Sequence, residues 1–292
     1  MKRVLGLFLL LLFLSLCMFG QQLYVGSYNI RYSNDEDASK GNGWERRCPV
    51  LCSQVNFEHP DIFGAQEVLA PQLHDMLGRL DGYAFVGVGR DDGKEAGEYA
   101  PIFYDESKIE LIRDGHFWLS QTPEIPGKGW DAACTRICTW GEFNYKPTGM
   151  RFFFFNLHLD HIGKVARAKS SLLVMQKIAA IATFENPVVL TGDFNVDQTD
   201  EIYDIFTRNG MLRDCYVHSR LRFAENGTFN DYHQEVKTPS RIDHVFVSPH
   251  FSIDRYGILT NAYWTHDGKR GSDVRRLPSD HYPVFVHLKF EE

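Results

Sequence analysis

Arg151-Phe152-Phe153-Phe154-Phe155-Asn156-Leu157-His158-Leu159, followed by a helical pattern from Lys164 to Phe184, is the stretch on which the reading of this 292-residue chain turns. The aromatic run reads as a strand inside a core. In the helix, Val165, Ala168, Leu172, Met175, Ala179 and Ala182 step by three and four, which predicts one stripe facing that core. The strand ends in His158 and Asp160, polar groups at the rim of an apolar element.

The same arrangement recurs outward in both directions. Strands are predicted over Leu23 to Ile30, Asp61 to Gln66, Tyr83 to Val88, Pro101 to Tyr104, Ile109 to Leu119, Cys134 to Asn144, Pro187 to Leu190, Ile242 to Val247 and Pro283 to Phe290. Helices are predicted over Trp44 to Glu58, closed by His59-Pro60, over Ala70 to Leu80 and over Asp200 to Arg208. Many strands with few helices imply an α+β protein of stacked sheets covered by helices, not a simple alternating parallel sheet. No repeat or linker divides residues 21–292, which read as one domain.

Composition bounds the function. Hydrophobic residues make up 43% and charged residues 24%, as in an ordered globular protein. The net charge is −7, more negative still without Lys2 and Arg3, and no basic stripe is present. The electrostatic footprint of a dedicated DNA-binding protein is therefore missing. Lys2 and Arg3 precede an apolar run from Val4 to Phe19, too short for a spanning helix and suited to a secretory signal over residues 1–20. Export to a periplasmic or extracellular space follows, with a membrane as partner only if that segment is retained or lipidated at Cys17. Cys48 and Cys52, like Cys134 and Cys138, are four apart, without the spacing of a redox or zinc pair, and read as ordinary buried cysteines.

Asn29, Glu67, His158, Asp160, Asp193, Asn195, Asp243, His244, Asp280 and His281 all stand at strand ends, where rigid scaffolds place chemistry. Singly, each has an ordinary explanation. Asp193 suits a turn, Glu67 a helix cap, and His158 the core. Their order along the chain adds what none carries alone.

The segments Ser27-Tyr28-Asn29-Ile30-Arg31, Gln66-Glu67, Asn156-Leu157-His158-Leu159-Asp160-His161, Gly192-Asp193-Phe194-Asn195, Arg241-Ile242-Asp243-His244 and Ser279-Asp280-His281-Tyr282-Pro283-Val284 resemble the successive motifs of the endonuclease/exonuclease/phosphatase superfamily. The resemblance spans residues 23–290 and is greatest to secreted bacterial metal-dependent hydrolases. It implies a four-layer α/β/β/α sandwich, two mixed sheets face to face with helices outside. It also implies hydrolysis of a phosphate mono- or diester by attack of water. The oxygen donors Glu67, Asn29 and Asp280 suit Mg²⁺ or Mn²⁺ rather than Zn²⁺. The resemblance assigns His281 as base with Asp243 as its partner, leaving Asp193 as the alternative base. It gives Asn195 and His158 to the phosphate oxygens.

Four further residues are expected at the substrate: Arg167 at the helix start, Arg136, Tyr99 and Asp160. Specificity is expected in the loops Tyr32 to Trp44, Gly89 to Glu98, Gln121 to Ala133 and Trp264 to Leu277, the last with Lys269, Arg270, Arg275 and Arg276. A small or lipid-like phosphate ester is the favoured substrate and a monomer the expected state. A secreted nuclease is the alternative, and a catalytically silent binding module the second alternative.

Overall fold

A computed structural model describes residues 22–183, 185–223, 225–235, 238–268 and 270–291. The expected signal segment 1–20, the end of the expected long helix at Phe184, and Lys269 lie outside the described residues. In chain order the elements are β1 (Gln22–Asn29), α1 (Asp35–Ser39), α2 (Trp44–Glu58), β2 (Ile62–Gln66), α3 (Ala70–Leu77), β3 (Tyr83–Val86), β4 (Ile102–Asp105), β5 (Ile109–Trp118), β6 (Ile137–Tyr145) and β7 (Met150–His158). They continue with α4 (Lys164–Ile181), β8 (Val188–Asp193), α5 (Asp204–Thr207), β9 (Arg213–Asp214), α6 (Cys215–His218), β10 (Leu221–Phe223), β11 (Asp243–Val247), β12 (Phe251–Ile258), β13 (Tyr263–Asp267), β14 (Ser272–Arg276) and β15 (Val284–Phe290).

Two mixed sheets carry the fold. One runs β10-β12-β15-β1-β2-β4-β3, the other β5-β6-β7-β8-β11-β9. The four phenylalanines of β7 show why the strand is apolar throughout. Phe152 and Phe154 join Val25, Ile62, Ile102 and Val286 in the core between the sheets. Phe153 and Phe155 face the other way and pack with Val174, Met175 and Ile178 of α4. A strand alternates its side chains, so one covered on both faces needs no polar position. Each fully buried phenylalanine contributes about 1.5–3 kcal/mol. On the outer face of the first sheet, Tyr28, Phe63 and Phe103 pack under Cys48, Leu51 and Val55 of α2 and Leu73 and Met76 of α3. The layers are therefore helix, sheet, sheet, helix.

The sheets are joined by polar bonds as well as by oil. Asn156 Nδ2 donates to the carbonyls of Ala65 (2.7 Å) and Pro101 (2.9 Å), while its Oδ1 accepts from Gln66 Nε2 (2.7 Å) and Thr191 Oγ1 (3.1 Å). Gly64 lies against this amide, and a Cβ there would stand 2.3 Å from Asn156 Oδ1. All the partners are buried, so each polar atom needs its bond.

Several expectations are corrected. The core-facing stripe of α4 is Ala166, Ser170, Ser171, Val174, Met175 and Ile178, whereas Val165 and Leu172 are 50% and 47% exposed. Small residues let the helix approach the sheet closely, and a count of large apolar side chains passes over them. Cys134 precedes β6 rather than lying in it. The segment Trp264 to Leu277 is not a loop but mostly the hairpin β13–β14, and β12 and the short helix α1 were not anticipated. All five described cysteines are free thiols, four of them buried.

Candidate active site

Strand register assembles the site. β7 and β8 run parallel with His158 opposite Asp193, and β8 and β11 run antiparallel with Asp193 opposite Asp243. Three polar residues thus stand side by side across three strands of the second sheet. The first sheet brings Asn29 to the end of β1, beside Gln66 at the end of β2, with Glu67 next in the chain. Asp280 and His281 precede β15, which pairs with β1. The site spans the end of both sheets.

The backbone is bent to hold it. Arg31, Glu67 and Asn195 all adopt positive φ, at 59°, 62° and 50°. A side chain with a Cβ pays in energy for this left-handed conformation, and such residues persist where surrounding bonds over-determine them. Glu67 accepts from Asn29 Nδ2 (3.0 Å) and from the Tyr32 N–H (3.1 Å). The Asn195 N–H donates to Asp193 Oδ1 (2.9 Å), and its Nδ2 donates to the Leu159 carbonyl (3.0 Å) and lies 3.1 Å from His158 Nε2.

Asp193 is at the centre. Its Oδ2 accepts from Asn29 Nδ2 at 3.0 Å and lies 3.5 Å from His158 Nε2 and 3.7 Å from His281 Nε2. His281 Nδ1 donates to Asp243 Oδ2 at 2.8 Å. Burial, reinforced by the charge of Asp243, pushes the Asp193 carboxyl up to about 7. Burial also raises Asp280 to about 6, with Glu67 adding repulsion against the pull of His281 and Arg31. For His281 burial opposes the charge, yet Asp243 and Asp193 hold its imidazolium well above the usual histidine range. His158 is driven the other way, well below it, by burial and then by Arg136 and Arg90.

These carboxyls fit a hard cation. Glu67, His158 and Asp193 offer ligand atoms that all lie within 4.8 Å of one another. Asp243 repels the buried Asp193 carboxyl and Glu67 repels that of Asp280, and a divalent ion would relieve such repulsion. Asn29, expected as an oxygen ligand, is placed differently. Its Oδ1 accepts from the Arg31 N–H at 3.0 Å, and its Nδ2 ties Glu67 to Asp193. Two carboxylates require a donor between them, so the amide presents nitrogen, not oxygen.

A cavity of about 510 Å³ opens over these groups, lined by Glu67, His158, Asp193, Asn195, Asp280 and His281 and walled by Arg31, Arg90, Glu98, Arg136, His161 and Phe229 among others. Of the four expected substrate residues, only Arg136 lines it. Tyr99 is buried in the core under α2 and α3. Arg167 turns its Nη1 onto the Asp160 carbonyl at 2.9 Å. Asp160 is a scaffold: its carboxylate accepts from the N–H groups of Ala133, Cys134, Ile162 and Gly163, at 2.7–3.1 Å. Burial opposes its charge, but these four donors hold its carboxyl far below the usual range. His244 is buried against Phe194 and Phe246, with Nε2 3.0 Å from the Val196 carbonyl.

Arg31, Arg90, Glu98 and His161 were not singled out as site residues. Arg31 and His161 are the last residues of quoted motifs, and Arg90 and Glu98 lie in the expected specificity loop Gly89 to Glu98. Arg90 forks onto Glu98 at 2.6 and 2.9 Å, and burial raises the Glu98 carboxyl despite that pairing.

Comparison with known proteins agrees with this architecture. Residues 26–281 match the model of the Endonuclease/Exonuclease/phosphatase family. A solved endonuclease/exonuclease/phosphatase family protein from Bacteroides thetaiotaomicron is 49% identical with a TM-score of 0.90, covering 92% of this chain and 98% of that one. A mannosyl-6-phosphatase from Bacteroides thetaiotaomicron VPI-5482 is also 49% identical, with a TM-score of 0.89 over 92% of this chain and all of that one. An uncharacterized protein, L388, of Acanthamoeba polyphaga mimivirus is 30% identical over 259 residues, 83% of this chain and 91% of the relative. With the fold, the clustered carboxyls and histidines, and a match over most of its length, the chain belongs to the endonuclease/exonuclease/phosphatase family of metal-dependent phosphoric ester hydrolases.

Proposed function

We propose that this chain is an exported hydrolase of small phosphate esters, sugar phosphates foremost, working with Mg²⁺ or Mn²⁺. The observation that carries this reading is the cavity. Its volume of about 510 Å³ suits one small ligand, and arginines and carboxylates both stand on its wall, able to meet a phosphate and hydroxyls together. The acidic net charge of −7 argues for such a ligand over a polyanionic strand. The 49% identity to a mannosyl-6-phosphatase supports a sugar phosphate.

Glu67 and Asp280, with Asp193 beside them, would hold the cation, which when bound neutralises charge on the phosphate oxygens. His281 Nε2 faces the cavity and, in molecules where the ring is neutral, takes a proton from the attacking water, and Asp243 stabilises the imidazolium so formed. Asn195 donates to a non-bridging oxygen. His158, held neutral, places a further hydrogen-bonding group beside it. Export rests on the basic start and apolar run before Gln21.

The test is a screen of the chain from Gln21 with Mg²⁺ against mannose 6-phosphate, other sugar phosphates, phosphoinositides, RNA and supercoiled DNA, with His281→Ala as blank. Phosphate release from sugar phosphates supports the proposal. Nicking of DNA that disappears in the blank replaces it with a secreted nuclease, and silence on every substrate returns the binding module. Recovery of the protein from the cytoplasmic fraction alone overturns export.

A further inference from the structure

The three arginines on the cavity wall are not equivalent. Arg31 Nε donates to Asp37 Oδ2 at 2.8 Å, with Nη1 3.5 Å from Asp280 Oδ2, and Arg90 is forked onto Glu98. Arg136 shares its carboxylate, Asp160, rather than holding one outright. It is 4% exposed, its Nε reaches Asp160 Oδ2 at a long 3.4 Å, and that carboxylate is already held by four backbone N–H groups. Its Nη2 donates to His161 Nδ1 at 3.0 Å, and Nη1 has no hydrogen-bond partner among the described residues. A desolvated guanidinium N–H without an acceptor is unfavourable, and the natural remedy is an anionic oxygen.

Arg136 lines the same cavity as His158, Asn195 and His281, so its charge acts where the phosphate is handled. Its charge is also among those that keep His158 neutral. Phosphate monoesters and diesters both present two terminal oxygens and a leaving-group oxygen. A monoester alone has a third terminal oxygen, carrying the second negative charge. In a diester that position is an alkoxy group, which would bury the guanidinium against carbon and leave it unpaired.

We propose that Arg136 binds the third terminal oxygen of a phosphate monoester and so selects monoesters over diesters, with His161 as a positioning residue that orients the guanidinium. The inference rests on the reading of the chain as a hydrolase of small phosphate esters, whose substrate class it narrows.

The experiment compares 4-nitrophenyl phosphate with bis(4-nitrophenyl) phosphate, which share a leaving group, in wild type, Arg136→Gln and Arg136→Lys, with Mg²⁺ present. In Arg136→Gln the ratio of monoester to diester kcat/KM should fall about 50-fold or more, as expected for loss of a charge-assisted hydrogen bond. Arg136→Lys, which keeps the charge and loses the fork, should recover part of that ratio. The same variant supplies the readout if the glutamine variant does not fold. Inorganic phosphate should inhibit Arg136→Gln at least about 10-fold more weakly than wild type. An unchanged ratio, or equal losses on both esters, overturns the role of Arg136. A wild type that cleaves the diester alone likewise overturns the selection of monoesters, whereas one that cleaves neither ester overturns instead the reading on which it rests.

Discussion

Asp243 Oδ2 accepts a 2.8 Å hydrogen bond from His281 Nδ1, with both side chains buried. The contact fixes the ring so that its other nitrogen faces Asp193 and the cavity. Asp243→Asn should therefore lower kcat by about 100-fold or more while the protein still folds. Its pH signature is specific. The folded-state pKa of His281 lies above the ordinary 6.5, so the pair stabilises the fold fully below that value and loses the effect as pH rises through the raised one. Urea unfolding of the metal-free protein should show the gap between wild type and Asp243→Asn largest in acid and shrinking toward alkaline pH. A gap that widens with pH contradicts the assignment.

Chelation gives a second prediction. EDTA should abolish hydrolysis, and Mg²⁺ or Mn²⁺ should restore it, because the site offers mainly carboxylate oxygens, a hard donor set. Recovery with Zn²⁺ alone would show that the carboxyls of Glu67 and Asp280 are not the ligands that matter.

Asp160→Asn should destabilise the chain by about 2–4 kcal/mol, since it removes a buried charge that gathers four N–H groups and faces Arg136. The carboxyl is depressed in the folded state, so its contribution is complete above the ordinary carboxylate range and is lost as pH falls through the depressed value. Denaturation at neutral pH should separate mutant from wild type, and the separation should narrow in strong acid. Equal stability at neutral pH would remove Asp160 from its scaffold role.

Gly64→Ala places a methyl within 2.4 Å of Asn156 and Thr191 side-chain atoms. The sheets must part or the buried amide must turn, at a cost of about 1–3 kcal/mol. A Tm within error of wild type would show that the layers absorb the strain.

The sequence is most legible where local pattern and final environment agree. Phe152 to Phe155 announce a core strand, and the polar residues at strand ends mark the rim that becomes the site. It is least legible where the environment is made by distant segments. Tyr99 looks available but is covered by α2 and α3, and Arg90 looks like an ordinary loop cation until Glu98 and the cavity close around it. Val165 and Leu172 were misread because a helix packed through Ala166 and Ser170 hides its contact face behind small side chains. The hairpin β13–β14, rich in charge, carries no apolar alternation to betray it.

The left-handed backbone at Arg31, Glu67 and Asn195 has a consequence for how this molecule could change. Each carries a standing strain of roughly 1–3 kcal/mol, balanced by the bonds its neighbours make. A selection for heat resistance would find relief at these three positions, since glycine relaxes the backbone there. At Glu67 and Asn195 the same change removes a group that the proposed chemistry uses. Durability and turnover therefore pull Glu67 and Asn195 in opposite directions, so stability gained at these two positions would come at the expense of the proposed chemistry.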